Sequence, residues 1–86
     1  MALIVKKFGG SSVATTEKIM NVAKRVLKEK QPGDKIVMVV SAMGKTTDHL
    51  IDLAKGINKE PYQYSREMDM LLTTGEQVSM ALLSIA

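Results

Sequence analysis

The run Ile36-Val37-Met38-Val39-Val40 constrains the fold more than any other stretch of this chain. It is five consecutive apolar residues, four of them β-branched. A strand apolar on both faces is what a parallel sheet covered on both sides requires. A second apolar run, Ala2-Leu3-Ile4-Val5, opens a short strand over residues 2–7 that ends at glycine. Between the two lies a helical pattern from Thr16 to Lys30. Ile19, Val22, Ala23, Val26 and Leu27 fall on one face, Met20 on its flank, and Lys18, Asn21, Lys24, Arg25 and Lys28 largely outside. Thr15 or Thr16 can cap its start, with Glu17 in the first turn suiting the macrodipole. Gln31-Pro32-Gly33-Asp34 breaks the helix and leads into the second strand. Strand, helix and strand make a βαβ unit, whose crossover should be right-handed. The fold class is therefore α/β with a parallel sheet.

The remainder reads as helices. Asp48 to Ile57 carries Leu50, Ile51, Leu53, Ala54 and Ile57, and residues 58–61 close it. Tyr62 to Arg66 is ambiguous, a turn leading onward. Glu67 to Thr73 is helical with Met68, Leu71 and Leu72 inward. A break at Thr73-Thr74-Gly75-Glu76-Gln77 follows, then a helix from Glu76 or Gln77 through Ala86 with Val78, Ala81, Leu82 and Ile85 on its apolar face. The chain stops inside that apolar pattern, without cap, glycine or polar tail. Two strands are also too few to close an α/β domain with protected edges. The expectation is a truncated N-terminal portion, residues 1–86, of a longer catalytic domain.

Composition narrows the function classes. Eighty-six residues bury only roughly 60–65% of their unfolded surface, so stability should be marginal. Aromatic residues make up 3% of the chain, so the core must be aliphatic, with seven methionines as filler. There is no cysteine, which excludes disulfides and thiolate metal sites and suggests an intracellular, cytoplasmic setting. The single histidine, His49, cannot build a metal site alone. No apolar run approaches the ~20 residues of a membrane span, and no signal-peptide pattern opens the chain. The net charge of +3 comes from dispersed lysines with few aromatics to stack on bases. A nucleic-acid partner is therefore not expected.

Two small-residue turns carry the chemistry. Lys7-Phe8-Gly9-Gly10-Ser11-Ser12 follows the first strand, and Ser41-Ala42-Met43-Gly44-Lys45-Thr46-Thr47 the second. A strand, a glycine turn and a helix bring backbone N–H groups and partial positive charge to one spot, which suits an anion. Lys7 adds a mobile full charge. Both turns should lie side by side at the carboxyl edge of the sheet, where open α/β sheets bind ligands. Gly44-Lys45-Thr46 is not a P-loop, because Val39 stands where that motif needs glycine. Ser41 and Thr47 can cap turns or hydrogen-bond a small polar ligand. Thr73…Glu76 and Thr74…Gln77 are overlapping capping boxes. Glu76 is either a helix-cap carboxylate or, if Thr74 and Gln77 form the cap, an anchor for a cationic substrate group. Glu67, Asp69 and His49 read as solvent-facing helix residues.

Three blocks together resemble one family. They are Val5 to Val13 (with Lys7-Phe8-Gly9-Gly10-Ser11-Ser12), Val39 to Asp48 (Ser41-Ala42-Met43-Gly44 and Thr46-Thr47-Asp48), and Arg66 to Ser79. In content, order and spacing the sequence is similar to the N-terminal part of the aspartokinases, within the amino acid kinase superfamily. The resemblance implies a partial three-layer amino-acid-kinase fold, a parallel βαβ unit followed by helices. It implies ATP-dependent phosphorylation of the L-aspartate side-chain carboxylate, with Mg²⁺ bridging the phosphates. It further implies that Lys7 stabilises the transferring phosphoryl group, and that Phe8, Gly9 and Gly10 form the ATP turn with Ser11 beside it. Ser41 and Thr47 would position aspartate, and Glu76 would hold its α-ammonium. These roles suit phosphoryl transfer, where positioning and electrostatic stabilisation dominate. Family members continue well beyond 86 residues, so this chain should bear part of a site and turn nothing over alone. A homo-oligomer is expected, and no metal ligand is assigned within the chain. A relative acting on another acid, and an inactive fragment that associates through apolar helix faces, remain open.

Overall fold

The computed structural model describes residues 2–86. Strand β1 (Leu3–Phe8) pairs in parallel with β2 (Lys35–Val40), in continuous register from Leu3 opposite Lys35 to Phe8 opposite Val40. A short 3-10 turn (Gly10–Val13) and helix α1 (Thr16–Glu29) form the crossover. Helix α2 (Thr46–Ile57), a second 3-10 turn (Pro61–Gln63) and helix α3 (Ser65–Ile85) complete the order. The α/β class and parallel βαβ unit expected from the apolar runs are what the chain forms.

The core lies on one side of the sheet. Val13, Ile19, Val22, Ala23, Val26 and Leu83 are buried together, with Phe8, Ile36, Val40, Met43 and Leu82 packed against them. Strand alternation explains the selection: Ile4, Lys6 and Phe8 turn toward this side, and Leu3, Val5 and Lys7 away from it. The other face is uncovered among the described residues, with Val5 65% and Val37 48% exposed. The two-sided burial expected of Ile36–Val40 is thus met on one side only. The molecule is correspondingly extended, 50 × 24 × 17 Å with a radius of gyration of 15.5 Å, against about 12 Å for a compact domain of this length.

Helix α1 follows its pattern closely. Thr15 is the cap, its Oγ1 accepting the Lys18 amide hydrogen at 3.2 Å. Leu27 departs from the stripe and lies exposed. At the far end of α1, Glu29 accepts hydrogen bonds from Lys6 of β1 and from Arg25, the latter at 3.2 Å. This three-residue ion pair ties the first strand to the last turn of the helix.

The second half departs further from expectation. Helix α3 runs unbroken for 21 residues through Thr73-Thr74-Gly75. Neither capping box forms, because both threonine hydroxyls bond backward within the helix. Thr73 donates to the Met70 carbonyl at 3.0 Å and Thr74 to the Leu71 carbonyl at 2.6 Å. The buried stripe is Met68, Gly75, Ser79 and Leu83, with Leu71, Leu72 and Leu82 half-buried. Val78, Ala81 and Ile85, expected inward, are exposed. Small residues on the inner face let α3 approach its neighbours, and packing overrode the local turn signals. Helix α2 begins at Thr46, earlier than expected, and buries no residue fully; Leu53 and Ile57 face solvent. Among the described methionines only Met68 is fully buried and Met43 packs half-buried against the core, so the core-filling role assigned to them holds at these two.

Candidate active site

Backbone bonds join the two turns at the carboxyl edge. The Ser41 amide donates to the Phe8 carbonyl at 3.2 Å, extending the ladder past the strands. The Gly44 amide donates to the Gly10 carbonyl at 2.9 Å. A Cβ on Gly10 would lie 3.0 Å from the carbonyl oxygens of both Ala42 and Gly44, so the turns touch backbone to backbone. Gly44 adopts φ +51°, the left-handed region where a side chain is strained. The side-by-side placement expected from the sequence is realised.

Each candidate residue has a definite place around this contact. Lys7 is exposed near the end of β1, opposite Val39 and on the uncovered face of the sheet. Phe8 turns to the opposite side, half-buried against the α1 core. Gly9 is exposed and extended, its carbonyl accepting the Ser12 amide at 3.1 Å. Gly10 starts the 3-10 turn. Ser41 and Thr47, both half-buried, flank the second turn, Thr47 within the first turn of α2. Glu76 lies exposed in the middle of α3, free of any capping duty.

The structure links these residues through their neighbours. Gly75, Ala42 and Thr46 meet at one point, where a Cβ on Gly75 would stand 2.9 Å from the Ala42 Cβ and 3.2 Å from the Thr46 Cγ2. Ser41, Thr47 and Glu76 are each one residue from a member of that contact. Two segments far apart in sequence, residues 41–47 and α3, therefore converge beside the turn that holds Gly10. Gly75 was readable from sequence only as a helix breaker. The missed signal is a glycine that persists inside a helix, where alanine would be favoured by about 1 kcal/mol.

One expected element is displaced. The N-terminus of α1 does not sit at the glycine turn, since the 3-10 turn intervenes and Thr15 caps the helix. The uncapped helix start nearest the turns is that of α2, where Lys45 contributes no side-chain cap. Lys18, expected on a solvated face, reaches back to donate to the Ser11 carbonyl at 3.2 Å and steadies the first turn. With Arg25, Asn21, Ser11, Ser12 and Phe8 it lines an open cavity of about 360 Å³ on the α1 side. Among the described residues no three His, Cys, Asp or Glu side chains converge, and no helix is long and apolar enough to cross a membrane.

Comparison with known proteins places this arrangement. The model of the amino acid kinase family matches residues 2–86. Over all 86 residues the chain is 63% identical to the aspartokinase of Bacillus sp. (strain MGA3) and 60% identical to aspartokinase 2 of Bacillus subtilis (strain 168). It spans only 20% and 21% of those proteins' lengths. The crystal structure of aspartate kinase from Synechocystis superposes with a TM-score of 0.89 at 60% identity, covering 96% of this chain and 14% of that one.

Proposed function

This chain belongs to the amino acid kinase family, and on that premise we propose that it is the N-terminal portion, residues 1–86, of an aspartokinase catalytic domain. The reaction is transfer of the γ-phosphoryl group of ATP to the side-chain carboxylate of L-aspartate, the first step of lysine, threonine and methionine biosynthesis. A carboxylate oxygen attacks the γ-phosphorus, the bond to the β,γ-bridging oxygen breaks, and the products are 4-phospho-L-aspartate and ADP. The observation that carries this reading is the junction of the two turns, with Gly44 bonded to Gly10 and Gly75 of α3 packed against Ala42 and Thr46.

In this reading Lys7 places its ammonium against the migrating phosphoryl group, whose charge spreads over three oxygens in the transition state. Phe8, Gly9 and Gly10 form the turn that receives the ATP phosphates, Gly9 leaving the approach open because nothing lies within 4 Å of its missing Cβ. Ser41 and Thr47 hold the acceptor by hydrogen bonds, and Glu76 holds its α-ammonium. Magnesium would arrive on the nucleotide, since the described residues offer no carboxylate cluster for it. The cytoplasm is the setting, L-aspartate and ATP the partners, and a homo-oligomer the assembly; neither nucleic acid nor a membrane takes part.

The test offers aspartate, glutamate and N-acetylglutamate, with ATP, to the complete polypeptide of this reading frame and to residues 1–86 alone. The complete polypeptide should form an acyl phosphate, trapped as the hydroxamate, from aspartate only. The 86-residue chain should form none. Preference for another acid would replace the substrate assignment, and turnover by the 86-residue chain would overturn the partial-site reading.

A second reading rests on the uncovered sheet face, where Leu3, Val5, Val37 and Val39 are exposed together. An isolated 86-residue chain would hide such a face by associating with itself. Light scattering after size-exclusion chromatography tests this, and a clean monomer counts against it.

A further inference from the structure

We propose that Gly75 is a positioning residue for acceptor binding: its bare Cα seats α3 against Ala42 and so fixes the spacing between Glu76 and the Ser41–Thr47 loop. The inference deepens the reading above and rests on it for the identity of the acceptor. An added Cβ at Gly75 would lie 2.9 Å from the Ala42 Cβ, 3.2 Å from the Thr46 Cγ2 and 3.5 Å from the Leu50 Cδ1. Carbon atoms do not approach to 2.9 Å without displacement, since the favourable separation is about 3.5–4.0 Å. The nearest of the three obstacles, the Ala42 methyl, is fixed to its backbone and cannot rotate away. Ala42 is 3% exposed, and its carbonyl also stands 3.0 Å from where a Cβ on Gly10 would be. It is wedged between α3 and the first turn.

Any side chain at position 75 must therefore move α3, or the loop, by several tenths of an ångström. Glu76 follows Gly75 directly, while Ser41 and Thr47 adjoin Ala42 and Thr46, so the shift falls between the groups assigned to the acceptor's two ends. Lys7 and Gly9 are outside this contact. Helix propensity alone favours alanine over glycine at an interior position. Gly56 of α2 is the internal control, because nothing lies within 4 Å of its Cβ position.

The experiment uses the complete polypeptide and steady-state kinetics with both substrates varied. Gly75→Ala should lower kcat/KM for aspartate by about 10- to 100-fold, the scale of a misplacement of up to 1 Å. The loss should fall mainly in the aspartate KM, with the ATP KM held within about twofold. Moving the methyl across the contact, in Ala42→Gly/Gly75→Ala, should restore most of it, and Gly56→Ala should leave both constants unchanged. An aspartate KM unaltered in Gly75→Ala overturns the proposal. So does an equal loss for both substrates, or a double variant that folds without recovery. Failure of both the single and double variants to fold overturns it too, because the conflict would then extend beyond this one contact. A wild-type polypeptide that phosphorylates no aspartate refutes the functional reading instead.

Discussion

The amide of Gly44 donates to the carbonyl of Gly10 at 2.9 Å, closing one turn onto the other. Gly44 makes this bond at φ +51°, where an L side chain costs about 1–2 kcal/mol. Gly44→Ala should lower stability by about that amount, read as a reduced denaturant midpoint at constant m-value. Gly9→Ala, at φ −75° with open space around it, should shift the midpoint by under about 0.5 kcal/mol. Equal effects would mean that the left-handed conformation at Gly44 is not what the junction depends on.

Lys7 points to the uncovered side of the sheet and contributes nothing to the core. Lys7→Ala in the complete polypeptide should reduce kcat by about 10²- to 10³-fold, the usual effect of losing one group that stabilises transition-state charge. Thermal stability should be unchanged. Undiminished turnover would remove Lys7 from the phosphoryl site.

Glu76 is exposed and caps nothing, so its replacement should leave the fold intact. Glu76→Gln should raise the aspartate KM by about 10- to 100-fold, the equivalent of one charge-assisted hydrogen bond. The ATP KM should stay put. A stability loss without a kinetic effect would return Glu76 to a structural role.

The carboxyl of Glu29 is held below its ordinary value, first by the hydrogen bond from Lys6 and then by that from Arg25. A carboxyl more acidic in the folded chain stabilises it above the unfolded pKa, and the contribution is lost as pH falls through the lower folded value. The melting temperature should therefore decline on acidification below about pH 5 more steeply in the wild type than in Glu29→Gln. Parallel profiles would show that this ion pair adds nothing to stability.

Leu83 is 6% exposed in the core and Ile85 is 82% exposed, two residues away on the same helix. Leu83→Ala should cost about 2–5 kcal/mol, and Ile85→Ala within about 0.5 kcal/mol. Chemical denaturation of the two variants side by side distinguishes this packing from the reverse orientation, which the apolar pattern of the sequence favours.

The contrast between these two residues marks where the sequence was legible. Around α1, period, cap and breaker all agreed, and the βαβ unit could be read directly from the apolar runs on either side. The turns after β1 and β2 were recognisable because glycine and small residues end both strands. In α3 the local signals disagreed with the packing. Thr73, Thr74 and Gly75 read as a helix boundary, yet the threonines bond back to their own helix and the glycine serves a contact with Ala42 more than thirty residues away. Such contacts leave no periodic trace. Glu76 was singled out partly through the capping boxes, neither of which forms, and its role toward the acceptor rests on the family resemblance.

The pairing of β1 with β2 also sets a schedule. Ala2 and Asp34, hydrogen-bonded at one end of the sheet, are 32 residues apart, and all strand partners share that offset. At synthesis rates of about 5–20 residues per second, β1 waits roughly 2–6 s for its partner to leave the ribosome. Throughout that interval Leu3, Ile4 and Val5 are an apolar run without its strand partner, the kind of segment that recruits wrong partners. Lys6 and Lys7 adjoin it, and like charges there discourage two nascent strands from joining. One lysine later takes up Glu29 and the other is left at the end of the sheet. Until β2 arrives, the charge on those two lysines is what opposes the pairing of β1 with another apolar strand.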